Sequence, residues 1–141
     1  MRASTVLVFA FLANATVFST VTPFAEASGT VLLAIRTNDA GGVRVVVKPK
    51  AIEAGASMWE FEITMDTHTK PLSDDLSRVA VLVDGSGRRY LPLAWQGDPP
   101  GGHHRRGILR FPTPDIKSGK FELQISGVGG AENRVFQWEI K

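Results

Sequence analysis

The fold is decided by the stretch Met58-Trp59-Glu60-Phe61-Glu62-Ile63-Thr64-Met65-Asp66. Large apolar side chains fall at every second position, and polar or charged side chains fill most of the positions between them. Alternation of period two over this length predicts a half-buried antiparallel β-strand. The inward face of that strand would carry Trp59, Phe61, Ile63 and Met65.

Shorter runs of the same kind lie on both sides of this strand, about 8–12 residues apart, with turn residues between them. No window shows a helical period. The pattern predicts an all-β domain, an antiparallel β-sandwich with immunoglobulin-like connectivity. A small β-barrel is the alternative, because alternation does not distinguish the two ways of closing the sheets. The other predicted strands cover residues 30–36, 43–48, 79–83, 88–95, 108–111, 120–126 and 136–140.

Glycine and proline set the predicted boundaries. The clusters Asn38-Asp39-Ala40-Gly41-Gly42 and Asp84-Gly85-Ser86-Gly87 are predicted turns, and Pro49 is expected to end the second strand. In the run 88–95, Leu91, Leu93 and Trp95 take the alternating positions of a strand. Because Pro92 cannot donate to a ladder, this strand is expected at a sheet edge or at a bulge.

The first 27 residues have the three regions of a secretory signal peptide. Arg2 supplies the positive charge, an apolar run from Val6 to Val21 follows, and Ala25-Glu26-Ala27 offers a cleavage site before Ser28. We therefore expect a signal peptide over 1–27, a single domain over 28–141, and a periplasmic or extracellular location. A retained membrane anchor is the weaker alternative, because the run is short for a span. No membrane span is expected in the mature chain.

Composition narrows the function classes. The chain has 16 basic and 14 acidic residues, a formal net charge of +2, so no global field indicates a nucleic-acid partner. It contains no cysteine, which excludes disulfides, thiolate metal sites and cysteine catalysis. The domain must therefore be stabilised by its core.

All three histidines lie where an apolar alternation stops. His68 follows the central strand, and His103 and His104 lie in a Gly/Pro-rich loop over 97–107. Imidazoles with few other ligands suit copper or zinc, so these residues are candidate metal ligands, with Asp66 as an oxygen ligand or Met58 as a thioether. Alternatively, His103 and His104 hydrogen-bond backbone groups to hold the long loop, and His68 caps its strand end.

Two arginines follow these histidines directly. Arg105 and Arg106, together with Arg88-Arg89, would form a basic strip suited to carboxylates or phosphates, hence to an acidic protein surface or a small anionic ligand. Trp95, just before the loop, is a further candidate contact, although its place in the alternation favours the core. The alternative is that these arginines are solvated charges that protect edge strands from aggregation.

Catalytic motifs are absent from the sequence. It has neither a G-x-S-x-G elbow nor a phosphate-binding glycine loop. Glu60 and Glu62 share one strand face and are typical of an exposed polar face rather than of a glycosidase pair. We therefore expect no enzyme activity.

About half of the mature chain resembles a group of small exported prokaryotic β-domains. The shared features are the Asp-Thr-His-Thr segment at 66–69 and the segment that runs from Trp95 through Gly97 and Pro99-Pro100-Gly101-Gly102-His103-His104-Arg105. Further matching residues are Phe61-Glu62-Ile63, Asp75-Leu76, Val81-Leu82, Asp84, Gly87, Tyr90, Pro92, Gly107, Leu109 and Phe111. The resemblance implies that the two histidine segments belong together, and it implies nothing about what they do.

These observations favour an exported, non-catalytic binding or interaction module. We expect the segment 66–69 and the loop 97–107 to lie side by side at one rim, so that His68 and at least one of His103 and His104 form one polar site. One alternative is a periplasmic or extracellular copper- or zinc-binding protein. A second alternative is an assembly subunit that pairs through its N-terminal strand.

Overall fold

The computed structural model describes residues 33–53 and 55–141, so the predicted signal peptide lies outside the described residues. In these two ranges, a one-turn helix, α1 (Leu76–Val79), and a 3-10 turn at Val128–Gly130 interrupt a structure that is otherwise strand, turn and irregular chain. The strands are β1 (Arg36–Ala40), β2 (Val43–Ala51), β3 (Met58–Thr67), β4 (Ala80–Asp84), β5 (Arg89–Tyr90), β6 (Ala94–Gly97), β7 (His104–Pro112), β8 (Gly119–Ser126) and β9 (Asn133–Ile140).

The strands form two antiparallel sheets. One has the order β1-β2-β3-β7-β6 and the other the order β5-β4-β8-β9. With β1 set aside as an additional edge strand, these are the orders A-B-E-D and C′-C-F-G of an immunoglobulin-like domain. The predicted sandwich and its connectivity are therefore confirmed, and the described strands do not close into a barrel.

Aromatic side chains join the two sheets. Trp59 and Phe61 on β3 face Phe121 on β8, with ring centroids 4.9 and 6.5 Å apart. The Phe121 ring stacks in turn on Trp138 of β9 at 5.5 Å. In antibody domains a disulfide links the two strands that β3 and β8 correspond to. Here, in a chain without cysteine, aromatic packing makes that connection, with each pair contributing about 0.5–1.5 kcal/mol beyond its buried area.

The predicted strand over 88–95 is wrong as a single element. β5 ends at Tyr90, the chain crosses from one sheet to the other, and β6 begins at Ala94. Leu91 and Leu93 are 71% and 60% exposed, so their alternation does not mark a core face. The physical reason is that this segment passes between the sheets, where Pro92 has no ladder to join.

The start of the domain also differs from the prediction. β1 covers Arg36–Ala40, where the sequence predicted mostly turn, and the predicted strand 30–36 falls partly on residues outside the described ranges. The turn itself is Gly41-Gly42, with φ of 58° and 76°. Two positive φ values are typical of a type I′ hairpin turn, which twists in the same sense as its flanking strands.

Two further features differ from the prediction, the end of β2 and the short helix α1. β2 continues through Pro49 to Ala51, with an irregularity in its register with β3 at that point, so Pro49 does not end the strand. The helix α1 is too short to leave a period in the sequence, and the Asp75 side chain caps it by accepting a hydrogen bond from the Ser77 N–H at 3.0 Å. Leu72 and Leu76 are buried in this connection.

Asp84 holds the predicted β4–β5 hairpin together. Its Oδ1 accepts hydrogen bonds from the Ser86 hydroxyl and from the N–H groups of Ser86 and Arg88, at 2.6, 2.9 and 3.0 Å. Its Oδ2 accepts from the Tyr90 hydroxyl at 2.9 Å. The Ser86 hydroxyl, aided by the other donors, holds the pKa of Asp84 below its usual value, although burial acts in the opposite direction.

The stability of the fold should therefore depend on the ionisation of Asp84. Because its pKa is lower in the folded than in the unfolded chain, its contribution is present above about pH 4 and is lost as the pH falls through the folded pKa. We expect Asp84→Asn to lower the free energy of unfolding at neutral pH, and the gap from the parent protein to narrow as the pH falls. Urea unfolding across this range measures the gap. The exposed Asp115→Asn is the control, and a gap that does not change with pH would contradict this role.

Candidate functional site

The predicted histidine segments lie at one end of the sandwich, which we call the histidine rim. It consists of the β1–β2 turn (41–42), the β3–β4 connection (68–79), the β6–β7 loop (98–103) and the β8–β9 connection (127–132), together with the ends of the strands that these segments join. The Lys70 ammonium donates to the Gly129 carbonyl at 2.8 Å and so links two of these connections. In immunoglobulin terms this end carries the B–C, D–E and F–G loops, and the B–C and F–G loops bind antigen in variable domains.

The structure places the segment 66–69 and the loop 97–107 side by side. Asp66 and His104 are directly paired across β3 and β7, and the Thr67 N–H donates to the His103 carbonyl at 2.9 Å. His68 lies one residue beyond β3 and is exposed. Among the described residues, no hydrogen bond or ion pair joins its ring to His103 or His104. The structure thus unites Asp66 with His104, while His68 lies nearby on the same rim.

Asp66 and His104 form an exposed pair. The His104 Nδ1 lies 2.6 Å from the Asp66 Oδ1, and the two side chains are 71% and 41% exposed. In the neutral ring, Nδ1–H donates to the carboxylate, so Nε2 faces outward as an acceptor. An imidazole oriented in this way is suited to accept a proton or a hydrogen bond, or to ligate a metal. Asp66 therefore orients the ring.

The predicted copper or zinc site has little geometric support. Within residues 33–53 and 55–141, no three His, Cys, Asp or Glu side chains converge as metal ligands. Met58 pairs with Pro112 at the opposite end of β3, eight residues before Asp66 and roughly 26 Å away at the rise of a strand. The thioether suggested by the sequence therefore does not belong to this rim.

Arg105 is a supporting residue, not the ligand contact predicted for it. It is only 2% exposed, because alternation along β7 places it on the same inward face as Leu109 and Phe111. Its Nη1 donates to the carbonyls of Leu72 and Asp74 at 2.9 and 2.7 Å, and its Nη2 donates to that of Asp98 at 3.4 Å. It therefore ties the β3–β4 connection to the β6–β7 loop.

Arg134, which the sequence interpretation missed, has the same role on the other side of the rim. It is 1% exposed, and its Nη1 donates to the Asn38 Oδ1 at 2.6 Å and to the Val43 carbonyl at 3.1 Å. Its Nη2 donates to the carbonyls of Ala40 and Val128 at 2.7 and 2.8 Å. The signal was present in the sequence, because Arg134 shares the inward alternation of β9 with Phe136, Trp138 and Ile140.

Both guanidiniums are charged groups among backbone carbonyls. Burial lowers the pKa of Arg105 and Arg134, while the neighbouring Asp74 and Asp98 for the first, and Asp39 for the second, act in the opposite direction. Arginine keeps its proton in proteins, so each remains a fixed cation with a rigid fork of donors. The two forks define the shape of the histidine rim.

The histidines do not hold the loop. The rings of His68 and His103 make no hydrogen bond or ion pair with another described residue, and that of His104 bonds only the Asp66 carboxylate. Instead, the loop is held by Arg105 and by two backbone hydrogen bonds, from the Leu72 N–H to the Gly102 carbonyl and from the Gly101 N–H to the Leu72 carbonyl. The loop-holding alternative is therefore wrong, and all three rings face solvent.

The other residues predicted as ligand or partner contacts lie in three different environments. Trp95 is half-buried, with its Nε1 donating to the Asp98 carbonyl at 2.9 Å and the Arg105 guanidinium 5.6 Å from its ring centre. Arg106 is exposed and paired with Glu62 at 2.9 Å. The Arg88-Arg89 pair lies in the β4–β5 hairpin at the opposite end of the sandwich, so the predicted basic strip does not form.

The histidine rim contains an open pocket of about 520 Å³, larger than two other described pockets of about 310 and 190 Å³. Its walls are the β1–β2 hairpin from Asp39 to Arg44 and the end of β3 from Asp66 to His68. The volume lies in the range of small-molecule sites. Two of the residues predicted from the sequence, Asp66 and His68, line it.

Comparison with known proteins finds no family model, no curated protein and no solved structure that matches this chain. Among the described residues, no helix has both the length and the apolar character needed to cross a membrane.

The supporting role of Arg105 predicts a large difference between two adjacent positions. In Arg105→Lys, a single ammonium cannot reach three carbonyls, so we expect a loss of about 1–3 kcal/mol in the free energy of unfolding. In Arg106→Lys, which changes an exposed ion pair, we expect a change within about 0.5 kcal/mol. Chemical denaturation measures both. Equal losses at the two positions would contradict the assignment.

Proposed function

We propose that this protein is a non-catalytic binding module that acts after export, in the periplasm or outside the cell. Its recognition surface is the histidine rim, which takes a small polar ligand or a polar segment of a partner protein. The observation that carries the proposal is that buried and exposed side chains have different roles at this rim. Buried arginines maintain its shape, so the exposed His68, His103 and His104 remain available for contacts.

Preorganisation supports this function. Binding sites that must order flexible loops lose part of their interaction energy to that ordering. Here the Arg105 and Arg134 forks and the backbone bonds between Leu72 and the loop 98–103 hold the rim loops without a ligand. A ligand would therefore meet a formed surface. The position of this rim at the B–C, D–E and F–G end of the fold agrees by analogy, which is a weaker argument because one fold hosts many functions.

The two alternatives receive less support. A metal-binding role needs three convergent ligands, and none are found within the described ranges. Pairing through the N-terminal strand needs an edge with unoccupied backbone groups. Side chains of β9 already use the carbonyls of Ala34, Asn38 and Ala40, since Trp138 donates to the first at 2.7 Å and Arg134 to the other two at 3.4 and 2.7 Å.

Residue-resolved NMR tests the proposal without a known ligand. The ¹⁵N-labelled protein is titrated with a set of small carboxylates, phosphates, amines and amino acids, which sample the groups that polar ligands and protein side chains present. We expect the amide shifts produced by binding to cluster at residues 39–44, 66–69 and 101–104. A His68→Ala/His103→Ala variant should weaken that binding several-fold.

Gln137→Ala, on the exposed face of β9, is the matched control and should leave binding unchanged. Shifts that cluster on the outer face of the β5-β4-β8-β9 sheet, or no binding at the histidine rim across the whole set, would refute the proposed function.

A further inference from the structure

A row of charged residues crosses the five-stranded sheet at the histidine rim. Asp39 pairs with Arg44 across β1 and β2, Arg44 with Asp66 across β2 and β3, and Asp66 with His104 across β3 and β7. Directly paired residues of neighbouring strands project from the same face of a sheet. The row therefore presents carboxylate, guanidinium, carboxylate and imidazole in order, on the outer face of the sheet.

The charges of this row are not all used within the protein. Asp66 is held by His104 at 2.6 Å. Asp39 and Arg44 are both exposed, and neither side chain makes a hydrogen bond or ion pair with another described residue, although they are direct neighbours of opposite charge. Both line the 520 Å³ pocket of the rim.

The backbone around these two side chains is fixed. The Thr67 hydroxyl donates to the Gly42 carbonyl at 2.8 Å and accepts from the N–H groups of Thr69 and Lys70. The Arg134 guanidinium holds the carbonyls of Ala40 and Val43 on the two sides of the turn. The positions of Asp39 and Arg44 along the hairpin are thus set before any ligand arrives.

We propose that this pocket binds a small zwitterion, with its carboxylate on Arg44 and its ammonium group on Asp39. The inference rests on the proposed function and names the ligand class for the same rim. The two protein charges project from Cα positions roughly 4.5–5.5 Å apart, the separation of directly paired residues in antiparallel strands. The two side chains start from neighbouring backbone positions, so one small zwitterion can reach both charged groups.

Ligands with a single charge fit this pocket less well. Two carboxylates and one guanidinium line it, so a simple anion is attracted by Arg44 but repelled by Asp39 and Asp66. A simple cation is attracted by Asp39 but repelled by Arg44, its direct neighbour. A zwitterion satisfies both groups, and the guanidinium fork is well matched to its carboxylate. The proposed zwitterion thus differs from the small anionic ligand that the arginines of the sequence suggested.

Isothermal titration calorimetry and ¹⁵N NMR of the whole protein test the inference with a graded series. The probes are glycine, β-alanine, 4-aminobutyrate and 5-aminopentanoate, with propionate and propylamine as ligands of single charge. We expect at least one of the longer zwitterions to bind about tenfold more tightly than either single-charge ligand, with shifts at the Gly41 and Gly42 amides. Equal binding of propionate or propylamine would overturn the proposal.

Variants then assign the two charges. Asp39→Asn and Arg44→Gln should each weaken zwitterion binding about tenfold. Lys48→Gln removes another exposed cation from the same face of β2, outside the pocket, and should leave binding unchanged. Equal effects of Lys48→Gln and Arg44→Gln would indicate general electrostatic attraction and refute the site.

The result also separates the two proposals. If other probes shift the amides of the histidine rim while no zwitterion does, the ligand class is wrong and the recognition surface stands. If no probe shifts them, both fail.

Discussion

Two buried guanidiniums are the constraint on which the shape of this protein's candidate site depends. A charge removed from water is costly unless its donors are used, and Arg105 and Arg134 use theirs on backbone carbonyls of the connections around the rim. The Nε of each has no acceptor among the described residues, which costs about 1–3 kcal/mol per unsatisfied group. At both positions the guanidinium holds loops together in a chain that has no disulfides, and this offsets the cost.

The molecule thus divides its stabilising interactions between two regions. In the centre, Trp59, Phe61 and Phe121 join the sheets through non-directional apolar packing. At the rim, directional hydrogen bonds from arginine replace this packing, because loop backbones carry polar groups that an apolar core cannot satisfy. The outcome is a polar surface that is both exposed and ordered, with the histidines left outside the supporting network.

Much of the fold follows from the sequence, because period-two alternation records which face of a strand is buried. The inward residues predicted for β3 are buried, and in β2 the same alternation buries Val43, Val45 and Val47. The prediction failed where alternation continues without a sheet to explain it, as at Leu91 and Leu93. A segment that crosses between sheets can show the same alternation of residue types as a strand. The two differ only in the residues that pair with them, which lie far away in the sequence.

The candidate site was harder to predict for a related reason. The sequence located the two histidine segments, and the register of β3 against β7 then brings Asp66 and His104 together. The sequence interpretation placed Arg105 in the loop 97–107, whereas this residue lies on the inward face of β7, and it overlooked Arg134 on β9. The alternation of Arg134 with Phe136 and Trp138 was the one sign in the sequence that this side chain is buried. The partners of the two guanidiniums leave no local pattern, because most of the carbonyls that they bind lie 31–96 residues away. The exceptions are Val128 and Asp98, which lie in the adjacent connections.

The central claim is that the histidine rim is already ordered in the unliganded protein. Amide hydrogen exchange of the unliganded protein tests it most directly at Leu72 and Gly101, whose N–H groups form the backbone bonds between the β3–β4 connection and the β6–β7 loop. We expect both amides to exchange far more slowly than in an unstructured peptide, at rates approaching those of the core strands. Exchange of both at the unstructured rate would show that the loops are not held, and would contradict the account.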